Sequence, residues 1–332
     1  MKEALGKVIG GRCLGEDEAA AVMASIMDGE ATPAQIGGLL AALALRGETA
    51  DEIVGFARTM RSRAAPVACE GGVDTCGTGG DRAGTFNIST AASLVAAACG
   101  ARVAKHGNRS ASSLCGSADV LEALGVRIDP PPEVVATSLR EARWGFLFAP
   151  SFHAAARHAS LPRKELGVRT VFNLLGPLTN PARPESQVVG VPSAPHTVLI
   201  AQCLGRLGSK RVWVVHGSGL DELSLAGPTT VTEFHRGELR SFEVDPEDAG
   251  LARAPVEALR GGSSEKNASI VREVLAGEKG PRRDVVVLNS AAALVVGGHA
   301  TNLREGAGMA QAAIDEGHAR ALLERVREIS RQ

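Results

Sequence analysis

Three short stretches combine residue types and spacings that suit one chemistry, the holding of an oxyanion. The first is Val73-Asp-Thr-Cys-Gly-Thr-Gly-Gly-Asp81, which continues through Arg82, Thr85 and Phe86 to Asn87-Ile-Ser-Thr90. An apolar strand start runs into a loop carrying Gly77, Gly79 and Gly80, and Asn87 to Thr90 then opens an Ala-rich helix. Glycines let backbone N–H groups curl around an anion, and a helix N-terminus adds partial positive charge, so this layout suits phosphate or pyrophosphate. No Gly-Lys-Ser/Thr ends the loop and the G-x-G-x-x-G spacing is absent, so it is neither a Walker loop nor a dinucleotide fingerprint. A plain Gly-rich turn before a Ser/Thr helix cap would share the pattern.

The second stretch, Lys105-His-Gly-Asn-Arg-Ser-Ala-Ser-Ser113, places two permanent cations, an amide and three hydroxyls within nine residues. Hydroxyls and backbone donors can bind phosphate oxygens while Lys105 and Arg109 supply charge. Taken alone it also reads as a polar surface loop. The third, Gly217-Ser-Gly-Leu-Asp-Glu-Leu-Ser224, puts Asp221 and Glu222 after a Gly-rich turn. Two adjacent carboxylates can hold Mg²⁺, a hard cation that binds together with substrate phosphates. Each stretch follows a candidate strand, and strand carboxyl ends are where α/β proteins bind ligands.

The elements that would position these loops fall into two rhythms. Up to about residue 63 the chain reads as three amphipathic helices: Glu16 to Asp28, stopped by Gly29; one opened by Thr32-Pro33 with Ile36, Leu39, Leu40 and Leu43 on a single face; and one capped by Thr49 with Asp51 and Glu52 in its first turn. Such a unit buries little alone and must pack on another subunit or on the rest of the chain. From Val73 the pattern alternates. Strands are predicted at Val103 to Lys105, Phe146 to Phe148, Gln187 to Gly190, Arg211 to His216 and Asp284 to Leu288, with helices at Arg163 to Leu175, Val198 to Leu207 and Ser264 to Ala276. Thr229 to Val244, broken at Arg236-Gly237, reads as an antiparallel hairpin.

Composition narrows the function class. Lys+Arg 36 against Asp+Glu 37 gives a formal net charge of -1, which excludes a generally basic nucleic-acid coat. Aromatics are 3% with no Tyr, so base-stacking platforms are not expected. Six scattered cysteines with no CxxC pair point to neither zinc nor a disulfide framework, and reduced thiols are expected. The N-terminus lacks the long apolar core of a signal peptide and no stretch is long enough to span a bilayer, so a soluble cytoplasmic protein is expected.

Read together and in this order, Val-Asp-x-x-Gly-Thr-Gly-Gly-Asp, Thr-Phe-Asn-Ile-Ser-Thr, Lys-His-Gly-Asn-Arg and Arg169-Thr-Val-Phe-Asn-Leu-Leu-Gly-Pro-Leu-Thr-Asn-Pro181 resemble the anthranilate phosphoribosyltransferases, and the similarity runs the length of the chain. The resemblance implies an α/β fold of the nucleoside phosphorylase/phosphoribosyltransferase type: a small helical domain at 1–66, joined by helical residues from about 163–180, and a larger α/β domain at 70–332 with a mostly parallel central sheet. It implies transfer of the 5-phosphoribosyl group from phosphoribosyl pyrophosphate to the amine of anthranilate in tryptophan synthesis, with Mg²⁺ and as a homodimer, and with no nucleic-acid or membrane partner.

By the same resemblance, phosphoribosyl pyrophosphate would be bound by Gly77, Gly80, Asp81, Thr85, Asn87, Ile88, Ser89, Thr90, Lys105, His106, Gly107, Asn108, Arg109, Ser110, Ala111, Ser112, Ser113 and Ser117. Anthranilate would be bound by Gly77, Asn108 and Arg163, and the metal by Ser89, Asp221 and Glu222. His106, with His153 nearby, is the candidate acceptor of the amine proton, although structural or substrate-positioning roles suit either histidine equally. Three departures from the family pattern stand near the loops: Arg82 where Gly is common, Leu114-Cys115 where Lys-Ser is frequent, and His153-Ala154-Ala155 in place of His-Pro-Ala. Two other readings are weighed: a pyrimidine nucleoside phosphorylase, which shares the fold, and a noncatalytic nucleic-acid-binding relative, which the charge balance disfavours.

Overall fold

The computed structural model describes residues 1–110 and 114–332, so Ala111, Ser112 and Ser113 of the second loop lie outside the described residues. The N-terminal unit holds four helices: α1 (Lys2–Ile9), α2 (Glu16–Met27), α3 (Pro33–Arg46) and α4 (Ala50–Arg63). The last three match the sequence reading, whereas α1 starts at the chain end with no side-chain cap to announce it. Thr32 and Gln35 form a reciprocal cap: the Gln35 N–H donates to Thr32 Oγ1 (3.3 Å) and the Thr32 N–H to Gln35 Oε1 (3.0 Å). Thr49 and Glu52 repeat the arrangement on α4. Glu52, fully buried, also accepts from the Leu14 N–H (2.9 Å) and pairs with Arg46.

Seven strands form one sheet: β1 (Val73–Gly77), β2 (Val103–Gly107), β3 (Trp144–Phe148), β4 (Ser186–Gly190), β5 (Arg211–Gly217), β6 (Thr229–His235) and β7 (Glu238–Val244). Their order is β3-β2-β1-β4-β5-β6-β7. The first five run parallel, and β6 and β7 add the expected antiparallel hairpin, turned by Arg236 (φ 53°) and Gly237 (φ 86°). The chain winds from β1 outward to β2 and β3, then returns to lay β4 on the other side of β1. The crevice at the carboxyl ends of β1 and β4 is therefore the topological switch point, where open α/β sheets bind ligands.

Both sheet faces are covered. On one, Ile36, Leu40, Ile53 and Phe56 of the helical unit share an apolar cluster with Val171, Leu174 and Leu175, with Val189 of β4 and with Val212 and Val214 of β5. The helical unit thus buries its apolar faces against the sheet's own layer, each large side chain contributing about 1.5–3 kcal/mol. Arg61 of α4 closes this contact, its Nε donating to the Leu178 carbonyl (2.6 Å) and its Nη1 to that of Leu207 (2.8 Å). On the other face the Ile88–Ala98 helix packs with the Pro281–Val296 helix. Among the described residues no helix is long and apolar enough to cross a membrane.

Two predicted elements are corrected. Asp284 to Leu288 is not a strand but part of the sixteen-residue helix Pro281–Val296. That helix is buried nearly all round, and a continuous apolar run buried on every side reads alike as a core strand or a core helix. Arg163 to Leu175 is not one helix but two, Ser160–Leu166 and Val171–Leu178. Gly167 ends the first in the left-handed region (φ 63°), and Thr170 opens the second, its N–H donating to Asn173 Oδ1 (2.9 Å).

Candidate active site

The first and third loops meet at the switch point, where the Asp221 turn wedges between β1 and β4, and the second stretch reaches them through Lys105. The Gly79 N–H donates to Asp221 Oδ2 (2.9 Å), the Asp221 N–H to Asp81 Oδ2 (3.4 Å), and the Thr78 N–H to the Gly190 carbonyl (2.9 Å). A Cβ on Gly77 would overlap the Asp221 carboxylate, and one on Gly190 would overlap the Asp221 carbonyl oxygen. Both strands therefore end in glycine because only a bare Cα leaves room for that turn. Beside it the Ser89 N–H, in the first turn of the Ile88–Ala98 helix, donates to Glu222 Oε1 (3.0 Å). A small pocket lies here, lined by Thr75, Cys76, Ser89, Gly190 and Glu222 among others.

Lys105 is the buried cation of the site, 2% exposed on β2, and its Nζ donates to the Thr75 carbonyl on β1. Its charge opposes those of Asp74 and Glu222. Asp74 is fully buried; it accepts from the His106 N–H (3.2 Å) and Asn180 Nδ2 (2.8 Å), and burial pushes its carboxyl above the usual range. Burial and then the neighbouring Asp81 charge raise the Asp221 carboxyl, while burial and then Asp221 raise Glu222. Two desolvated carboxylates that repel each other favour a divalent cation between them. Among the described residues no cluster of three or more His, Cys, Asp or Glu could hold a metal. The pair can thus supply only part of a coordination sphere, which fits Mg²⁺ completed by phosphate oxygens and water rather than a structural metal.

The other predicted residues divide by what their side chains can offer. Ile88 and Thr90 are buried, and Ile88, with no polar side-chain atom, can serve a ligand only through its backbone. Thr85 forms a bridge with Arg260. Asn87 does not cap its helix; its Oδ1 accepts from Asn267 Nδ2 (3.0 Å) and Cys115 Sγ (3.3 Å). Asn108 Oδ1 accepts from the Arg109 N–H (2.7 Å), and Ser117 Oγ donates to the Asn108 carbonyl (3.2 Å). Gly107 faces that hydroxyl, a Cβ there colliding with Ser117 Oγ. The Ser110 N–H donates to Asp119 Oδ2 (3.2 Å). The Arg109 guanidinium pairs with Asp119 (2.9 Å) and Glu122 (2.9 Å), which holds its pKa above the ordinary arginine value.

His106 is buried and neutral. Its Nδ1 lies 3.0 Å from the Gly176 carbonyl, its Nε2 has no partner among the described residues, and burial with neighbouring His153 pushes its pKa down to about 3. A group of that strength accepts a proton poorly at neutral pH, so its surroundings do not support a role as general base. The depressed pKa has a measurable consequence. Between about 6.5 and 3 the unfolded chain takes a proton on His106 that the folded chain refuses, so this group's contribution to stability falls as pH drops. Urea unfolding should show the stability gap between the wild type and His106→Gln narrowing by about 2 kcal/mol from pH 7 to pH 5. A constant gap would mean the imidazole is not held neutral.

Arg163, on the Ser160–Leu166 helix, lays its guanidinium over the Phe172 ring at 4.8 Å, and that guanidinium donates to no acceptor among the described residues. Burial lowers its pKa, and its paired donors are unused. Two residues of the site escaped the sequence reading. Arg169, in the break between the two helices, donates from Nη1 to the Gly79 carbonyl (2.7 Å); it opens a quoted motif but sits inside what read as a continuous helix. Gly190 ends β4 with nothing in its local sequence to mark it.

A family model described as "Glycosyl transferase family, helical bundle domain" matches residues 2–64, and one described as "Glycosyl transferase family, a/b domain" matches residues 70–320. The anthranilate phosphoribosyltransferase of Paramagnetospirillum magneticum is 56% identical over 98% of this chain and 95% of its own. The chain belongs to the anthranilate phosphoribosyltransferase family. The crystal structure of the Thermus thermophilus member superposes with a TM-score of 0.93 at 49% identity, covering 99% of each chain. The Saccharomyces cerevisiae anthranilate phosphoribosyltransferase, in complex with PRPP and Mg, superposes with a TM-score of 0.90 at 26% identity over 99% of this chain and 97% of that one. The seven-stranded, mostly parallel sheet with its helical unit is thus the family's fold.

Proposed function

We propose that the switch-point cleft binds phosphoribosyl pyrophosphate with Mg²⁺ and that this enzyme transfers the 5-phosphoribosyl group to the anthranilate amine, giving N-(5-phosphoribosyl)anthranilate and pyrophosphate. One observation supports this above the others: a glycine loop, a helix N-terminus and an adjacent carboxylate pair converge on the carboxyl ends of β1 and β4. The yeast family member was solved in complex with PRPP and Mg, and the same ligand chemistry suits the groups gathered here.

Breaking the bond from C1 of the ribose to pyrophosphate builds negative charge on the leaving group and oxocarbenium character on the sugar. The backbone N–H groups of Gly80 and Asp81, which donate to no acceptor among the described residues, would hold the departing oxygens, and Lys105 adds a fixed positive charge within the site. Asp221, Glu222 and Ser89 would hold magnesium, which when bound supplies positive charge to the leaving group. Interactions that strengthen as this charge develops accelerate the reaction, whereas uniform binding does not. The anthranilate amine is already nucleophilic, so orientation carries much of the remainder. Arg163, with paired donors free beside Phe172, would receive the anthranilate carboxylate. The homodimer implied by the resemblance remains a proposal; Ile9 and Leu45 of the helical unit, 68% and 91% exposed, support it.

The test is loss of anthranilate fluorescence on adding phosphoribosyl pyrophosphate and Mg²⁺, run beside phosphorolysis of thymidine and uridine. Phosphorolysis without anthranilate consumption would favour the nucleoside phosphorylase reading instead. Within the same assay, Arg163→Ala should raise KM for anthranilate at least about tenfold, the value of one charge-assisted contact, and leave KM for the donor within about twofold. Equal rises in both would remove the carboxylate role.

A further inference from the structure

Beyond the ligands named above, Arg169 lies outside every assigned role yet touches the glycine loop directly. It stands in the break 167–170, its backbone fixed on one side by the Gly167 helix end and on the other by the Thr170–Asn173 cap. From there its Nη1 donates to the Gly79 carbonyl (2.7 Å), and its guanidinium covers Gly80 so closely that any Cβ at 80 would overlap it. Gly80 is moreover in the left-handed region (φ 89°), so this position is built for glycine twice over. On the far side of the same residue the Gly79 N–H is taken by Asp221 Oδ2 (2.9 Å). Asp221, Asp81, Arg82 and His196 all sense the Arg169 charge or are sensed by it.

The consequence follows from peptide planarity. The Gly79 carbonyl and the Gly80 N–H belong to one trans peptide unit, so they point in opposite directions. Fixing the carbonyl on Arg169 turns the Gly80 N–H away from the guanidinium, and among the described residues that N–H donates to no protein acceptor. We propose that Arg169 is a positioning residue that aims the Gly80 N–H, as a free donor, at the pyrophosphate of the phosphoribosyl donor. This rests on the functional reading above. Without Arg169 the Gly79 carbonyl keeps only the long bond from Thr78 Oγ1 (3.5 Å), and two glycines in sequence impose little barrier to a flip of the Gly79–Gly80 peptide, which would present a carbonyl oxygen to the anion. Arg163, six residues earlier on the adjoining helix, faces the acceptor in the same reading, so one short segment would serve both substrates from its two ends.

The experiment uses the full-length enzyme and its Arg169→Met and Arg169→Lys variants. Calorimetry measures binding of phosphoribosyl pyrophosphate with Mg²⁺, steady-state rates give KM for each substrate, and thermal unfolding controls for fold. For Arg169→Met the donor Kd and KM should rise about tenfold, as for one lost charge-assisted hydrogen bond. KM for anthranilate should stay within about twofold and the melting temperature should not move. Arg169→Lys, which keeps the charge and an ammonium donor but loses the planar cover over Gly80, should recover part of the donor affinity. Unchanged donor affinity in Arg169→Met overturns the inference. So does parallel weakening of both substrates with a lowered melting temperature and no recovery in Arg169→Lys, which marks a structural role only. If the wild type itself neither binds the donor nor consumes anthranilate, the functional reading fails and takes this inference with it; a competent wild type matched by its variants sinks the inference alone.

Discussion

Asp221→Asn combined with Glu222→Gln is expected to lower kcat for anthranilate consumption roughly a thousandfold, the scale seen when charge stabilisation at a developing oxyanion is removed. It should also abolish the magnesium dependence of whatever rate remains. The amide replacements keep the contacts that shape the loops: Asn can still accept from the Gly79 N–H, and Gln from the Ser89 N–H. The fold is therefore retained and the loss belongs to charge. Stability without magnesium should move the other way. Both carboxyls have folded pKa values above their ordinary ones. Each thus favours the folded state in its protonated form, and that contribution disappears as pH rises through the folded pKa. Unfolding followed from pH 4 to pH 8 without magnesium should show the wild type losing stability relative to the variant as pH rises. A double variant with normal magnesium-dependent turnover would remove the cation from this pair.

That the pair sits at the crevice was legible because chemistry and local pattern coincide there. Glycines at 77, 79 and 80, a helix opening near Asn87 and acidic residues after a strand are local signals, and the structure places all of them at the ends of parallel strands. The helix starts at Thr32 and Thr49 were legible for the same reason, since a cap is written within four residues. What stayed hidden depends on neighbours distant in sequence. The Val285–Leu288 run has the composition of a buried strand, and only its packing against the Ile88–Ala98 helix makes it part of a helix. The ion pairs that Arg109 makes with Asp119 and Glu122 depend on how the following helix, Ser117–Ala123, folds back on the loop, which no local pattern announces. The burial of His106 beside His153, which lowers its pKa, is likewise set by the fold and carries no local mark. Arg169 was concealed by helical periodicity that runs across a break marked only by Gly167.

Gly190 is the sharpest case of a residue whose importance is set entirely by tertiary placement, and Gly190→Ala is expected to reduce kcat/KM for both substrates on the order of a hundredfold, the cost of small misplacement of reacting groups. Its φ is not in the left-handed region, so alanine meets no backbone strain there. The obstacle is space, because the new methyl would fall on the Asp221 carbonyl oxygen, and both partners are main chain that cannot swing aside like a side chain. Either the end of β4 or the Asp221 turn must move. The Gly190 carbonyl also receives the Thr78 N–H (2.9 Å), so displacing β4 drags the glycine loop with it, while displacing the turn shifts Asp221 and Glu222. Both routes separate groups that the proposed reaction requires together. Gly227→Ala is the matched control: its methyl would meet only Ser218 Oγ at 3.5 Å, an ordinary contact, and with none of the mechanisms of large destabilisation present its activity should stay within about twofold of wild type. Far-ultraviolet circular dichroism of Gly190→Ala should remain native, since the collision falls at a strand end and a turn rather than within a helix. Near-normal kcat/KM in Gly190→Ala would show that the Asp221 turn yields freely, and its close seating between β1 and β4 would then not be what organises the site.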